Sequence, residues 1–196
     1  MISTVSMVLF LFLLKPIAYS QTYYDENASY DDARNISAYY LGLGIGLNEI
    51  GLLGIAGEVP IANRFSAMGT LGIGGWGVKL RLGANFYPNE LSGKNSFGIM
   101  YARASGLTEF ELTNDNTNNT YTLNLLPAHN IDFVYNRNLF VGKKSKFVLT
   151  AGYTLSLNKM AYEEVNGQSI DITTQQILDL LQPGGLLLGI KFFLGN

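Results

Sequence analysis

From Gly77 to Pro88 the chain alternates two kinds of residue. Val78, Leu80, Leu82, Ala84 and Phe86 fall on one parity, and Lys79, Arg81, Gly83, Asn85 and Tyr87 on the other. Side chains of a strand point alternately to its two faces, so this stretch predicts a two-faced β-strand, apolar on one side and small or polar on the other. The pattern recurs in eight segments: Ile36–Leu47, Gly51–Ile61, Phe65–Gly74, Gly77–Pro88, Asn95–Thr113, Thr120–Leu139, Phe147–Asn158 and Gly185–Leu194. Pro127 falls inside the sixth, where a missing N–H implies a bulge or a local break in the ladder. Pro60–Arg64, Gly74–Gly77, Pro88–Lys94 and Gly142–Lys146 carry turn residues, and Asn114–Asn119 reads as an exposed loop tip. The long segment Lys159–Gly184 predicts a short helix near Thr174–Gln182, with Thr173 and Gln176 as a capping box and Pro183-Gly184 as its stop.

The connections have a rhythm. Those after the second, fourth and sixth strands are short or compact, and those after the fifth and seventh are long. In outer-membrane barrels short turns face the periplasm and long loops face outward, so an even strand number places both termini in the periplasm. Tyr39, Phe65, Phe86, Phe97, Tyr135, Phe147 and Phe192 cluster near the expected periplasmic ends, as an interfacial girdle would.

Composition decides which face looks inward. Charged residues make up 14% of the chain, against roughly 25% in soluble domains. After residue 20 no segment supplies the roughly 18 apolar residues of a membrane helix. The bulky face carries too much volume for the interior of an eight-stranded barrel. As a soluble exterior, the opposite face of Gly, Ser, Thr and Asn would be poor in Lys and Glu, which disfavours a lipocalin-like soluble barrel. The expected fold is all-β: an eight-stranded antiparallel up-and-down transmembrane β-barrel over 36–196, with a short helix in the last outer loop.

Ahead of it, residues 1–20 read as a signal peptide, with Met7–Leu14 as apolar core and Ala18-Tyr19-Ser20 before the cleavage point. Residues 21–35 read as a flexible acidic segment carrying Asp25, Glu26, Asp31 and Asp32. There is no cysteine, which removes disulfides, thiolate metal sites and a lipid-anchoring cysteine. The basic residues are scattered, so no nucleic-acid partner is expected.

Five charged residues share the inward parity: Glu58, Lys79, Arg81, Asp132 and Lys191. A lipid-facing charge at midplane costs roughly 2–4 kcal/mol, and buried charges need partners. The expectation is a polar network in the lumen, with Glu58 and Asp132 neutralising Arg81, Lys79 and Lys191. The single histidine, His129, shares the parity of Ile131 and Phe133, whereas Asn130 and Asp132 lie on the opposite face. No catalytic triad and no metal-ligand set follow from that spacing, and no cofactor is expected. Gly42-x-Gly44-x-Gly46 and Gly72-x-Gly74-Gly75 lack the helix and acidic partner of a dinucleotide site, and read as inward glycines of a narrow barrel.

The eight two-faced strands, the loop rhythm and the terminal segment G-G-L-L-L-G-I-K-F-F-L-G-N resemble the small outer-membrane β-barrels of Gram-negative bacteria of the OmpA/OmpX/OmpW type. That resemblance covers residues 36–196. It implies outer-membrane lipid as surroundings and recognition of the last strand by the barrel-assembly machinery, although Leu194-Gly195-Asn196 after the aromatics departs from the usual ending. Family members are structural proteins, adhesins, small-solute channels and subunits of envelope complexes. The expected role is therefore a non-enzymatic structural or interaction protein with a partner in the envelope. A narrow porin-like channel and a lipid A-modifying enzyme are the alternatives. Ile177, Leu178 and Leu181 form an apolar stripe that the small helix could offer to a partner.

Overall fold

A computed structural model describes residues 37–114, 119–142, 144–158, 162–165 and 171–196. The expected signal peptide, the acidic segment and most of the Asn114–Asn119 tip lie outside the described residues.

Eight long strands close into one antiparallel barrel: β1 (Tyr40–Leu47), β2 (Gly51–Ala62), β3 (Phe65–Gly74), β4 (Gly77–Phe86), β5 (Asn95–Ala104), β8 (Ala128–Val141), β9 (Ser145–Ser156) and β11 (Gly185–Gly195). Each pairs with its neighbour in sequence among these eight, and β1 meets β11 from Tyr40↔Gly195 to Leu47↔Leu188, so no edge is left open. The alternation read from the sequence holds around the wall. Leu41, Leu43, Ile45, Ile55, Leu71, Leu82, Ile99, Leu149 and Ile190 are exposed on the outside, while Met68, Arg81, Asn85, Met100, Asn136, Thr150 and Phe193 are buried inside. At the lower end, where the short turns and both ends of the barrel lie, aromatic side chains pair around the outer surface: Phe65–Phe86 at 5.2 Å, Phe97–Tyr135 at 5.5 Å and Phe147–Phe192 at 4.7 Å between ring centroids.

Two expected strands are each two strands. The fifth breaks after Ala104 and the sixth before Ala128, leaving β6 (Leu107–Asn114) and β7 (Asn119–Leu125) as a hairpin beyond the barrel wall. Pro127 accounts for one break, because it has no N–H to continue the ladder. Gly106 accounts for the other: its φ of +74° is a left-handed turn, and a Cβ there would run into the Leu125 carbonyl. The hairpin continues into a three-stranded sheet with β10 (Tyr162–Glu164), a strand inside what the sequence read as loop.

Helix α1 (Ile172–Leu181) forms in the expected segment but starts earlier, because its cap is Asp171 and not Thr173. The Asp171 carboxylate accepts from the Thr174 N–H at 2.6 Å and from the Tyr121 hydroxyl at 3.2 Å. A carboxylate suits a helix N-terminus better than a hydroxyl does, since it also opposes the helix dipole. The sheet and helix share a second apolar core of Trp76, Ala104, Tyr121, Leu123, Leu125, Ala128 and Leu178. Trp76 Nε1 donates to the Leu126 carbonyl at 2.9 Å and ties this outer layer to the β3–β4 turn.

Leu178 is fully buried in that core, so it cannot face a partner, contrary to the expectation for the helix stripe. The side chains of Ile177 and Leu181 lie outside the described residues. Leu178→Asp would put a charge among apolar groups and is expected to cost 3 kcal/mol or more, roughly. The outer layer should then become protease-sensitive while the barrel ladders hold. Limited proteolysis of the refolded protein checks this: cleavage confined to the β6–β7 and α1 region is expected, and an unchanged digest contradicts it.

Candidate functional site

The lumen is filled in tiers, and the five inward charges predicted from sequence are all in it. Glu58, Lys79, Arg81, Asp132 and Lys191 are each buried. Their partners differ from those expected. Asp132 accepts from Arg81 Nε at 2.6 Å, but Glu58 lies near the lower end and pairs with Lys146 Nζ at 2.7 Å. Lys191 pairs with Glu49 at 2.5 Å, and Arg81 Nη1 reaches the same Glu49 oxygen at 2.7 Å. Lys79 donates to the backbone carbonyl of Asn48.

Glu49 is therefore the centre of the upper tier, and it arrives by an unexpected route. Asn48, Glu49 and Ile50 connect β1 to β2, yet Glu49 and Ile50 are fully buried. The connection folds into the barrel instead of standing above it. Asn48 takes a positive φ of 53° and Gly51 one of 97°, which turns the chain inward and back out. The Asn48 amide latches the turn to β11 by donating to the carbonyls of Gly184 at 2.6 Å and Leu186 at 3.0 Å. The inward glycines make the space. A Cβ on Gly54 would lie 2.5 Å from Ile50 Cγ1, and one on Gly189 would lie 2.5 Å from Glu49 Oε2. On Gly72 it would strike the Ile50 carbonyl oxygen. These glycines accommodate an inserted turn, a more specific role than lining a narrow barrel.

Below this tier, Asn136 donates to Asn85 Oδ1 and Ser96 Oγ, both at 3.3 Å, and accepts from Thr150 at 2.8 Å. The lowest tier is a lysine in an aromatic box. Lys146 Nζ lies 4.3 Å from the Tyr40 ring centroid, 5.6 Å from Phe193 and 5.8 Å from Tyr87, with Glu58 as counter-ion. Ser66 donates to Glu58 at 2.7 Å, and so does the Tyr87 hydroxyl. Four cations thus face three carboxylates along the described lumen.

Sequence reasoning missed Glu49 and Lys146. Lys146 shares the inward parity of Val148 and Thr150, so beginning the seventh strand at Ser145 would have found it. Glu49 had no parity to read because it sits in a turn. The only hint was the run of inward glycines, which left volume with nothing to fill it.

On the outside, charge is nearly absent. Among the outward positions of the described barrel strands, arginine, lysine, histidine and carboxylate side chains are confined to Arg103, His129 and Arg137. Arg137 Nη1 donates to Asn95 Oδ1 at 2.6 Å near the lower end. His129 lies outward, as its parity predicted; its Nδ1 is hydrogen-bonded to the Tyr101 hydroxyl and its backbone N–H to Asn158. Among the described residues no carboxylate bonds to its ring, and no group of His, Asp and Glu forms a metal-binding cluster.

Fold and lumen define a class: an eight-stranded antiparallel β-barrel, apolar outside, with a polar and ion-paired interior. No protein-family model matches the chain, and no curated protein matches it in sequence.

Proposed function

We propose that the chain is an integral outer-membrane barrel that works by structure and interaction, as a component of an envelope assembly, and not by chemistry or conduction. The observation that carries this reading is the inversion of faces. Large apolar side chains are exposed on every barrel strand, while arginine, lysines and carboxylates are buried at the centre. In water that arrangement would expose a greasy belt far larger than a soluble monomer tolerates. In a bilayer, only a closed barrel satisfies the backbone without a helix. The fit to outer-membrane lipid, with the compact turns and both ends of the barrel on the periplasmic side, rests on the aromatic ring at the lower end. β11, at the closing seam, is the strand the assembly machinery would read.

The inserted turn and the paired tiers favour a closed lumen over a narrow channel. Planar-bilayer recordings of the refolded protein are expected to give no single-channel steps, and reproducible steps would establish the channel. The working surface is the outer layer of β6, β7, β10 and α1, where Ile172, Val165, Glu109 and Glu111 are exposed. Pull-down from detergent extract should recover an envelope partner that is lost when Lys159–Gly184 is shortened. Unchanged recovery after shortening would remove the outer layer from that role.

A further inference from the structure

Away from Arg137 at the lower end, Arg103 and His129 are the two residues that interrupt the apolar exterior of the described barrel strands with basic groups, and they do so together. They face each other across β5 and β8, as directly opposed residues in the register, which places their Cβ atoms about 5 Å apart. Tyr101, the next outward residue on β5, reaches His129 Nδ1 with its hydroxyl, and the two rings lie 6.0 Å apart. With the Tyr101 hydroxyl as donor to Nδ1, the imidazole proton lies on Nε2, the nitrogen that this bond leaves open. Arg103 is exposed and makes no ion pair among the described residues. A fork of guanidinium donors thus stands beside an oriented imidazole donor. Their depth is informative. Along β8, His129 is eight residues from Arg137, about 27 Å of strand. At the usual tilt of such strands this spans about 20 Å of membrane, close to the height of the apolar band. With Arg137 at the lower boundary, Arg103 and His129 lie at the upper one.

We propose that Arg103, His129 and Tyr101 form a clamp for the phosphate of a lipid headgroup in the outer leaflet. This rests on the membrane reading above. The guanidinium supplies the positive charge and a fork of donors, and the imidazole N–H adds one more donor to the phosphate oxygens. Leu80, opposed to Arg103 on β4, and Leu157, whose N–H donates to the His129 carbonyl at 2.8 Å, flank the pair on the outward side. Those apolar flanks suit the acyl chains below a headgroup and offer nothing to a free anion.

The test uses the full protein in phosphatidylcholine nanodiscs, with lipid A or dephosphorylated lipid A added, and native mass spectrometry of what stays bound after release. The wild type should retain the phosphorylated lipid preferentially. Arg103→Gln with His129→Gln should lose roughly tenfold or more of that retention, the value of a charge-assisted contact. Arg103→Lys and Tyr101→Phe should lose less, and Arg137→Gln should retain lipid A as the wild type does. A heat-modifiable gel shift verifies folding of each variant. Equal retention of both lipids, or full retention by the double variant, overturns the clamp while leaving the barrel in its membrane. Displacement of lipid A by inorganic phosphate overturns the lipid assignment. Failure of the wild type to enter the bilayer overturns the membrane reading itself.

Discussion

Glu49→Gln is expected to destabilise the barrel by about 3–5 kcal/mol, although it changes one atom type in a residue that sits in a turn. The carboxylate is the shared acceptor of Arg81 and Lys191, at 2.7 and 2.5 Å. In the native upper tier three cations, Lys79, Arg81 and Lys191, face two carboxylates, Glu49 and Asp132. With the amide, three cations face Asp132 alone, and all of them are buried. Removing one member of a buried set costs more than removing a matched pair, because the remainder is left uncompensated. Glu49→Gln combined with Lys191→Met restores the native difference of one cation and should recover most of the loss. Arg81→Ala differs in kind: it leaves two cations against two carboxylates, so its cost comes from lost hydrogen bonds and an empty volume. Urea unfolding of the protein refolded in detergent, followed by the heat-modifiable gel shift, measures all three. A Glu49→Gln midpoint equal to that of the wild type would mean that Glu49 does not hold the tier together.

The features legible in the sequence were those that obey a period. Alternation of Leu80, Leu82 and Phe86 against Arg81 and Asn85 is local, and it survives wherever the chain stays in the barrel wall, because a slip of one residue would put charge into the exterior. The same reasoning placed Lys79, Arg81, Asp132 and Lys191 inside. It failed where geometry replaced period. The breaks at Gly106 and Pro127 remove β6 and β7 from the wall without disturbing the alternation on either side, so ten strands read as eight segments, and the three-residue β10 is too short to show a period. The partners of the inward charges were not legible either, since register across strands decides whether Glu58 meets Lys191 or Lys146. Turn residues have no parity at all, and Glu49, the residue that organises the upper lumen, is one of them.

The glycines that admit this turn give the second large effect. Gly72→Ala is expected to expel Asn48–Ile50 from the lumen. Its new Cβ would overlap the Ile50 carbonyl oxygen and lie 3.0 Å from the Leu53 carbonyl oxygen. Both are backbone atoms of the turn and of the strand it leads into, so no rotamer change relieves the contact. Expulsion exposes Ile50, worth about 2 kcal/mol in burial, and withdraws Glu49 from Arg81 and Lys191, so a total loss of about 4 kcal/mol or more follows. It also empties the upper tier. Single-channel steps, expected to be absent from the wild type, should therefore appear in Gly72→Ala. Gly57→Ala is the matched control, because the nearest atom to its added Cβ is Leu41 Cδ2 at 3.7 Å, an ordinary contact. A cysteine at position 50 reports the turn directly: a membrane-impermeant maleimide should label Ile50→Cys in the Gly72→Ala background and leave it unlabelled with Gly72 intact. Labelling in both backgrounds would mean that the turn already stands outside the barrel, and the sealed lumen would lose its principal support.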